Sequence, residues 1–256
     1  MTAILDAFKL SGKVAIVTGS ERGLGRGMAV ALAQAGADIF GVTYAESAPE
    51  TGAAIEALGR KYVHFQANLA SIEPIERIVE TALKAFGRID ILVNNAGIIT
   101  RNDSVDFTEK EWDDVMNVNL KSAFFLCQAV ARQFIAQGQG GKIVNIASML
   151  SFQGGIRVPS YTASKSGIKG ITMLMANEWA KFGVNVNAIA PGYMATDNTT
   201  QLRADEARNA EILGRIPAGR WGTPEDLGGA VVFLSSSAAD YINGYTIAVD
   251  GGWLAR

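Results

Sequence analysis

Short apolar runs alternate with helical segments along this 256-residue chain, without a repeat or a low-complexity break. The runs have the length of single strands and are rich in valine and isoleucine, as in sheets that are buried on both faces. Alternating strands and helices build a parallel, doubly wound sheet with helices on both faces, so one α/β domain of about seven strands is predicted over residues 1–256. The strands are expected near residues 14–18, 39–42, 62–66, 89–94, 142–147, 185–190 and 246–249.

The carboxyl ends of these predicted strands indicate where a ligand would bind. In an open parallel sheet, ligands bind beyond the carboxyl ends of the strands, at the point where the strand order reverses. The residues at or just after such an end include Gly19, Asn94, Ser148 and Pro191. We therefore expect these residues to meet at one edge of the sheet.

A glycine-rich turn joins the first predicted strand to the first helical segment, with Gly19, Gly23 and Gly25 in the spacing Gly-x-x-x-Gly-x-Gly. Glycine allows backbone N–H groups to approach a pyrophosphate closely, and the start of the following helix carries a partial positive charge. This spacing differs from the commoner dinucleotide fingerprint, Gly-x-Gly-x-x-Gly. The prediction therefore rests on the position of the turn between a strand and a helix. The turn predicts a dinucleotide cofactor.

Tyr161 and Lys165 are four residues apart in a helical segment, so their side chains lie on the same side of the helix. An ammonium group beside a phenol favours the phenolate, which predicts a Tyr161 pKa below the usual value of about 10. A tyrosine of this kind exchanges a proton with an alcohol or a ketone near neutral pH. Ser148 follows an upstream strand and is expected to hydrogen-bond the same oxygen.

The composition argues against several classes of function. With 23 Lys and Arg against 25 Asp and Glu, the formal net charge is −2, which does not suit a nucleic acid or an anionic membrane as partner. The chain has one cysteine, Cys127, and one histidine, His64, which are too few for an internal disulfide or for a metal site built from these residue types. No metal is therefore expected. Neither a signal segment nor a long apolar run is found, so a cytoplasmic protein is expected.

From about Leu10 to Arg256 the chain resembles the short-chain dehydrogenase/reductase family. Five motifs occur in the family's order and spacing. They are residues 18–25, Asn94-Asn95-Ala96-Gly97, Asn119, Ser148 with Tyr161 and Lys165, and residues 187–192. The resemblance implies a single Rossmann-type domain and an NAD(P)-dependent oxidoreductase that interconverts ketones and secondary alcohols.

The resemblance also implies a role for each motif. Tyr161 is then the general acid/base, Ser148 holds the reacting oxygen, and Lys165 supports the tyrosine and binds the nicotinamide ribose. Asn119 completes the catalytic group by holding a water that connects Lys165 to solvent. The cofactor-binding residues that the resemblance implies are Gly19, Arg22, Gly23, Leu24, Gly25, Thr43, Asn68, Leu69, Asn95, Ala96, Gly97, Tyr161, Lys165, Pro191, Gly192 and Thr196.

The choice between NAD(H) and NADP(H) stays open from the sequence, with a lean towards NAD from the branch of the family described below. NAD-preferring relatives place an acid at the end of the second strand, where this chain has Thr43. Arg22 stands where NADP-preferring relatives often keep a base, and Glu46 lies close to Thr43 in the chain. Many relatives have Asp where this chain has Asn68, whose carbonyl can accept the same hydrogen bond from the adenine amino group.

The second half of the chain is most similar to a branch of the family that acts on 3-deoxy sugar acids in pectin and uronate breakdown. That resemblance lies in residues 145–159, 177–180, 190–196, 215–222 and 249–254. A sugar acid needs a cation for its carboxylate and polar groups for its hydroxyls. The substrate residues expected on this basis are Ser148, Gln153, Arg157 and Tyr193, with Arg101 and Arg203 as further candidates.

Three other functions stay open at this point. A 3-oxoacyl-carrier-protein reductase has similar motifs but would need a basic patch for its acidic carrier. A polyol dehydrogenase of the sorbitol or gluconate type has the same fold and chemistry. A dinucleotide-sensing module without catalysis would be expected to have lost the pair formed by Tyr161 and Lys165, which this chain retains.

Residues 193–217 interrupt the regular alternation with a polar insertion that contains a predicted helix at 203–213. A long insertion at the ligand edge is more often a lid than a structureless loop, and its place matches the family's substrate lid. The resemblance also suggests a homotetramer in which helices carrying residues 112–135 and 161–182 pair across one interface. The apolar tail near Trp253 would pack at another.

Overall fold

The computed structural model describes residues 3–256, which form one sheet of seven parallel strands in the order β3-β2-β1-β4-β5-β6-β7. The strands are β1 Val14–Thr18, β2 Asp38–Thr43, β3 Tyr62–Gln66, β4 Ile91–Asn94, β5 Gly141–Ile146, β6 Val184–Pro191 and β7 Thr246–Val249. Every strand predicted from the sequence is present, with small differences at the ends. The prediction of a single doubly wound parallel sheet is confirmed.

Helices cover both faces of this sheet. In residues 3–256 the α-helices are α1 Gly23–Gln34, α2 Pro49–Glu56, α3 Ile75–Phe86, α4 Glu109–Met116, α5 Ser122–Gln137, α6 Pro159–Trp179, α7 Thr200–Ala204, α8 Glu206–Arg215 and α9 Gly228–Ser235. One core cluster includes Met28 of α1 and Val231 of α9, and the other includes Ile78 of α3 and Val130 of α5. None of the helices in this part of the chain is both long and apolar enough to cross a membrane.

The strand order reverses between β1 and β4, which pair side by side although they are not consecutive in the chain. β2 and β3 extend the sheet on one side of this point, and β5, β6 and β7 extend it on the other. Loops that leave neighbouring strands in opposite directions open a crevice at the carboxyl ends of the strands. The fold therefore places the loops after β1, β4, β5 and β6 around one crevice.

Capping residues set the starts of two helical segments. Before α4, the Thr108 hydroxyl accepts from the N–H of Glu111, and the Glu111 carboxylate accepts from the N–H of Thr108. Thr223 and Asp226 form the same arrangement at the turn of 3₁₀-helix Pro224–Leu227, with proline in its first turn. Each of these two arrangements, known as capping boxes, provides hydrogen-bond partners for N–H groups that the helix itself leaves unpaired.

The helical region predicted across residues 112–135 contains a π-helical turn, Asn117–Lys121, between α4 and α5. Turns of this type inside helices occur frequently at functional sites. Asn119 lies in this turn and is 2% exposed. The widened turn directs its side chain towards the loop after β4, where it bonds the backbone of Ile98.

The insertion at residues 193–217 is helical, but it contains two helices, α7 and α8, rather than the single helix predicted at 203–213. Asp205 separates them because its backbone is extended, with ψ of 104°. Its carboxylate then accepts from the N–H of Arg208 and caps α8. An Asp that bonds nearby backbone groups in this way favours a helix start over a helix interior.

Candidate active site

A cleft of about 600 Å³ opens at the carboxyl ends of the strands, on the edge predicted from the sequence. Its size is in the range of small-molecule and cofactor sites. It extends from Thr43, at the end of β2, to Tyr161 and Lys165 on α6. The predicted residues that line it are Gly19, Arg22, Gly23, Leu24, Gly25, Thr43, Asn68, Leu69, Asn95, Ala96, Gly97, Ser148, Tyr161, Lys165, Pro191, Gly192 and Thr196.

The glycine turn after β1 is packed so closely that side chains would collide there. Gly19 has φ of 66°, and a Cβ on Gly25 would lie 1.9 Å from the carbonyl oxygen of Gly19. The Asn95 side-chain amide donates to the carbonyl oxygens of Thr18 and Gly19 at 2.9 and 3.2 Å. The loop after β4 therefore holds the turn in its shape.

Helix α1 begins at Gly23, directly after this turn. Its N-cap residue, Arg22, makes no side-chain capping bond, and the first N–H groups of a helix have no partner within the helix. Free N–H groups and the positive end of the helix dipole suit a pyrophosphate. The residues of the cleft therefore fit a dinucleotide cofactor, with the pyrophosphate at this helix end.

Tyr161, Lys165 and Ser148 come together at the far end of the cleft from Thr43. Lys165 is 4% exposed, and its ammonium donates to the carbonyl oxygen of Ile146 at 2.6 Å. The same ammonium nitrogen lies 5.6 Å from the centre of the Tyr161 ring. Ser148, which is 7% exposed, follows β5 and approaches the tyrosine from the sheet. Tyr161 and Ser148 can thus act on one substrate oxygen, with the Lys165 ammonium nearby.

The pKa of Tyr161 is raised above its usual value because the surrounding protein buries the phenol. A hydrogen bond with Ser148 and the charge of Arg101 act in the opposite direction without cancelling this effect. The predicted lowering of the Tyr161 pKa by Lys165 is therefore wrong for this arrangement. The lysine ammonium is held by Ile146, and burial lowers the pKa of Lys165 itself to about 8.

Asn119 lies outside the lining of the cleft and supports one of its walls. Its carbonyl oxygen accepts from the N–H of Ile98 at 2.8 Å, and its amide donates to the carbonyl oxygen of Ile98 at 2.9 Å. The amide also reaches the Ser164 hydroxyl at 3.3 Å, one residue before Lys165. The side chain therefore ties α6 to the loop after β4.

Asn68 and Thr43 line the part of the cleft that lies beyond β2 and β3. The Asn68 carbonyl oxygen accepts from the N–H of Ala70 at 3.0 Å, which leaves a second lone pair on that oxygen. The Thr43 hydroxyl donates to the carbonyl oxygen of Ala45 at 2.8 Å and lies 2.6 Å from Nε2 of His64. Both side chains are thus oriented by the protein before any ligand binds.

The predicted substrate residues are divided between the cleft and its surroundings. Arg101 lines the cleft, whereas Gln153, Arg157 and Tyr193 do not. Arg157 is paired with Asp103 at 3.0 Å, with its side chain 57% exposed. Tyr193 packs edge-on against two tryptophans, Trp221 and Trp253. Arg203 donates to the carbonyl oxygen of Thr196, in the segment beside the cleft.

Several lining residues were not predicted from the sequence. Glu21 lies inside the glycine motif, and this position could have indicated that its side chain lines the cleft. Asp197 and Thr199 belong to the insertion that follows β6, so only its predicted place at the ligand edge pointed to them. Ile98 and Ile99 follow the Asn95–Gly97 motif without any pattern of their own. All five line the cleft.

Comparisons with known proteins agree over the full length of the chain. A family model described as enoyl-(acyl carrier protein) reductase matches residues 18–254. The chain is 67% identical to the 2-dehydro-3-deoxy-D-gluconate 5-dehydrogenase of Escherichia coli (strain K12), over 99% of this chain and 100% of that protein. It is 66% identical to the protein of the same name from Dickeya dadantii (strain 3937), with the same coverage.

A solved structure shares the fold in detail. The gluconate 5-dehydrogenase from Burkholderia cenocepacia J2315, in complex with NADP and tartrate, aligns with a TM-score of 0.94 at 38% sequence identity. The alignment covers 99% of this chain and 100% of that one. Proteins with different names thus share this fold, so the fold alone does not identify a substrate.

Proposed function

The chain belongs to the short-chain dehydrogenase/reductase family, and from this premise we propose that it is a 2-dehydro-3-deoxy-D-gluconate 5-dehydrogenase. It is an NAD(P)-dependent alcohol dehydrogenase that interconverts a secondary alcohol and a ketone. The observation that carries the choice of substrate is the 67% identity to the Escherichia coli enzyme over 99% of this chain and 100% of that protein.

The side chains at the end of the cleft perform the proton chemistry of this reaction. The bound nicotinamide supplies or accepts the hydride. In the direction of reduction, Tyr161 donates its phenolic proton to the ketone oxygen, which becomes the product hydroxyl. Ser148 hydrogen-bonds the same oxygen and orients it for the transfer. The Lys165 ammonium, 5.6 Å from the centre of the ring, is a nearby positive charge for the phenolate that remains, while burial keeps the pKa of the phenol raised.

The rate of ketone reduction is expected to fall as the pH rises through about 8, where Lys165 loses its charge. The raised pKa of Tyr161 keeps the phenol protonated across this range, so the loss of rate comes from the lysine. The measurement is the pH profile of kcat/KM for the wild type and for Lys165→Arg, whose guanidinium stays charged. A fall at the same pH in both proteins would assign the effect to another group.

Arg101 is the residue that we propose for the substrate carboxylate, because it lines the cleft and its charge acts on Tyr161. A guanidinium can bind a carboxylate through two parallel hydrogen bonds. Replacing Arg101 by Ala is expected to raise KM for the sugar acid on the order of 10- to 100-fold, with NADH affinity unchanged. Arg101→Lys should raise KM less than Arg101→Ala, because lysine keeps the positive charge.

Arg157→Ala is the matched comparison for this prediction, because it removes the other arginine considered for the carboxylate. Its guanidinium is paired with Asp103 outside the cleft lining, so a smaller rise in KM is expected. A large rise in KM for Arg157→Ala, with no change in KM for Arg101→Ala, would show that Arg157 binds the substrate carboxylate.

The proposed activity is tested by following absorbance at 340 nm with NADH and, separately, with NADPH. The substrates to compare are the 2,5-diketo-3-deoxy acid, 5-ketogluconate and an acetoacetyl thioester. Fastest oxidation of the cofactor with the diketo-deoxy acid is the expected result. Preference for 5-ketogluconate would indicate a gluconate-type dehydrogenase, and preference for the thioester would indicate a 3-oxoacyl-carrier-protein reductase. Tight cofactor binding without turnover would indicate a sensing module.

We further propose that the protein is a homotetramer that acts in the cytoplasm, in the breakdown of pectin and uronates. Helices α5 and α6 carry apolar side chains that a monomer leaves in contact with water, among them Ile135, Met173 and Leu174, which are 40%, 45% and 49% exposed. Ile135 and Leu174 line a groove together with Phe124 and Trp179. Exposed apolar patches of this kind favour association between copies. Sedimentation equilibrium measures the state, and a monomer would contradict this proposal.

A further inference from the structure

The end of β2 presents no carboxylate to the cleft. The Thr43 hydroxyl donates to the carbonyl oxygen of Ala45 and also bonds the His64 ring, so its hydrogen atom is already used. Glu46 is exposed and does not line the cleft. In dinucleotide-binding folds, an acid at this place bonds the 2′-hydroxyl of an adenosine ribose, and an arginine accommodates a 2′-phosphate. Any selection between NAD(H) and NADP(H) must therefore come from residues outside the end of β2.

Glu21, in the glycine turn, brings a carboxylate to this part of the cleft. It lines the cleft, and its Oε2 is buried and has no hydrogen-bond partner among the described residues. Burial raises the pKa of the Tyr62 phenol on β3, and the charge of Glu21 adds to that rise, so the carboxylate lies near that phenol. The Tyr62 hydroxyl in turn lies over β2, 2.4 Å from where a Cβ of Gly41 would be. The acid therefore lies beside the last residues of β2.

Arg22 is the base that would favour a 2′-phosphate, but a second carboxylate faces it across the cleft. Its Nη1 lies 3.3 Å from Oδ2 of Asp197. Both side chains are more than two-thirds exposed, at 70% and 72%, so the pair is weak and does not hold the arginine rigidly. The carboxylate nevertheless offsets the positive charge locally. Together, Glu21, Arg22 and Asp197 carry one net negative charge.

We propose that Glu21 makes this enzyme select NAD(H) over NADP(H), an inference that rests on the proposed function of the cleft as a dinucleotide site. The Glu21 carboxylate accepts a hydrogen bond from the 2′-hydroxyl of the adenosine ribose, a bond that a 2′-phosphate cannot donate. The phosphate would also bring negative charge against Glu21 and Asp197. The acid that the end of β2 lacks is thus supplied by the loop after β1.

The test measures dissociation constants for NADH and NADPH by cofactor fluorescence, with no sugar acid present. The wild type is expected to bind NADH at least about tenfold more tightly than NADPH. Glu21→Gln removes the charge and keeps the shape, and it should shift the ratio of the two constants about tenfold towards NADPH. Glu46→Gln is the matched control, because the same charge is removed from an exposed residue outside the cleft, and its ratio should stay at the wild-type value.

Asp197→Asn provides a second, independent variant that leaves the glycine turn intact. It frees Arg22 from its partner and should strengthen NADPH binding while NADH binding changes little. A wild type that prefers NADPH, or a ratio that Glu21→Gln leaves unchanged, would overturn the inference. Because no sugar acid is present, these results do not depend on the substrate. A failure to reduce the diketo-deoxy acid would instead count against the proposed function alone.

Discussion

Replacing Tyr161 by Phe is expected to lower kcat for reduction of the diketo-deoxy acid about 10³-fold. The change removes only the hydroxyl group that gives its proton to the ketone oxygen. The ring remains, and with it the packing against Lys165, whose ammonium lies 5.6 Å from the ring centre. NADH affinity and thermal stability are therefore expected to stay at wild-type values, so the loss should appear in kcat.

The control for this variant is Tyr241→Phe, which makes the same chemical change at a fully exposed tyrosine, with no expected effect on turnover. Steady-state kinetics with NADH and the diketo-deoxy acid measure both proteins. If Tyr161→Phe kept most of its activity, the proton would have to come from another group, and Ser148 would be the first to examine. A loss of NADH binding would instead point to a structural role for the phenol.

Replacing Gly25 by Ala is expected to destabilise the protein by about 3 kcal/mol, which lowers Tm on the order of 10 °C, and to weaken NADH binding strongly. An added Cβ would lie 1.9 Å from the carbonyl oxygen of Gly19 and 2.5 Å from the amide nitrogen of Asn95. One of these contacts is with backbone, so the clash cannot be relieved by turning a flexible side chain. The glycine turn would have to open, and the N–H groups at the start of α1 would move with it.

Gly229→Ala is the matched control for this change. Gly229 lies in α9, and a Cβ there would meet nothing within 4 Å. Alanine is the better helix former, so this variant should be as stable as the wild type or slightly more stable. Thermal melts and NADH titrations of both variants test the contrast. Equal behaviour of the two variants would mean that the turn is not packed as described.

Much of the fold could be predicted because it depends on short-range patterns. The first four residues of β1 are apolar and a glycine turn follows the strand, which is enough to identify a buried strand that feeds a helix at a phosphate site. The capping box of Thr108 and Glu111 marks a helix start in four residues. The cleft could also be placed, since parallel strands bring their carboxyl ends to one edge.

The residues that contact the substrate were harder to predict, because a sequence motif does not tell how far apart two side chains lie in the folded protein. Arg157 lies between Ser148 and Tyr161 in the chain, yet its guanidinium pairs with Asp103 outside the cleft lining. Arg101 has no motif of its own and reaches the cleft because the loop after β4 is held against Asn119. The order of residues along the chain therefore said little about which arginine approaches Tyr161.

The sequence by itself determined the parallel sheet and the glycine turn and predicted the catalytic residue types, because each of these depends on patterns of residues that are close together in the chain. Only the tertiary structure decided the ionisation of Tyr161 and Lys165. Lys165 is buried and Tyr161 is partly buried, and desolvation outweighs the effect of their closeness on one helix. Burial and charge depend on distances between groups from the whole chain, which only the folded structure brings together.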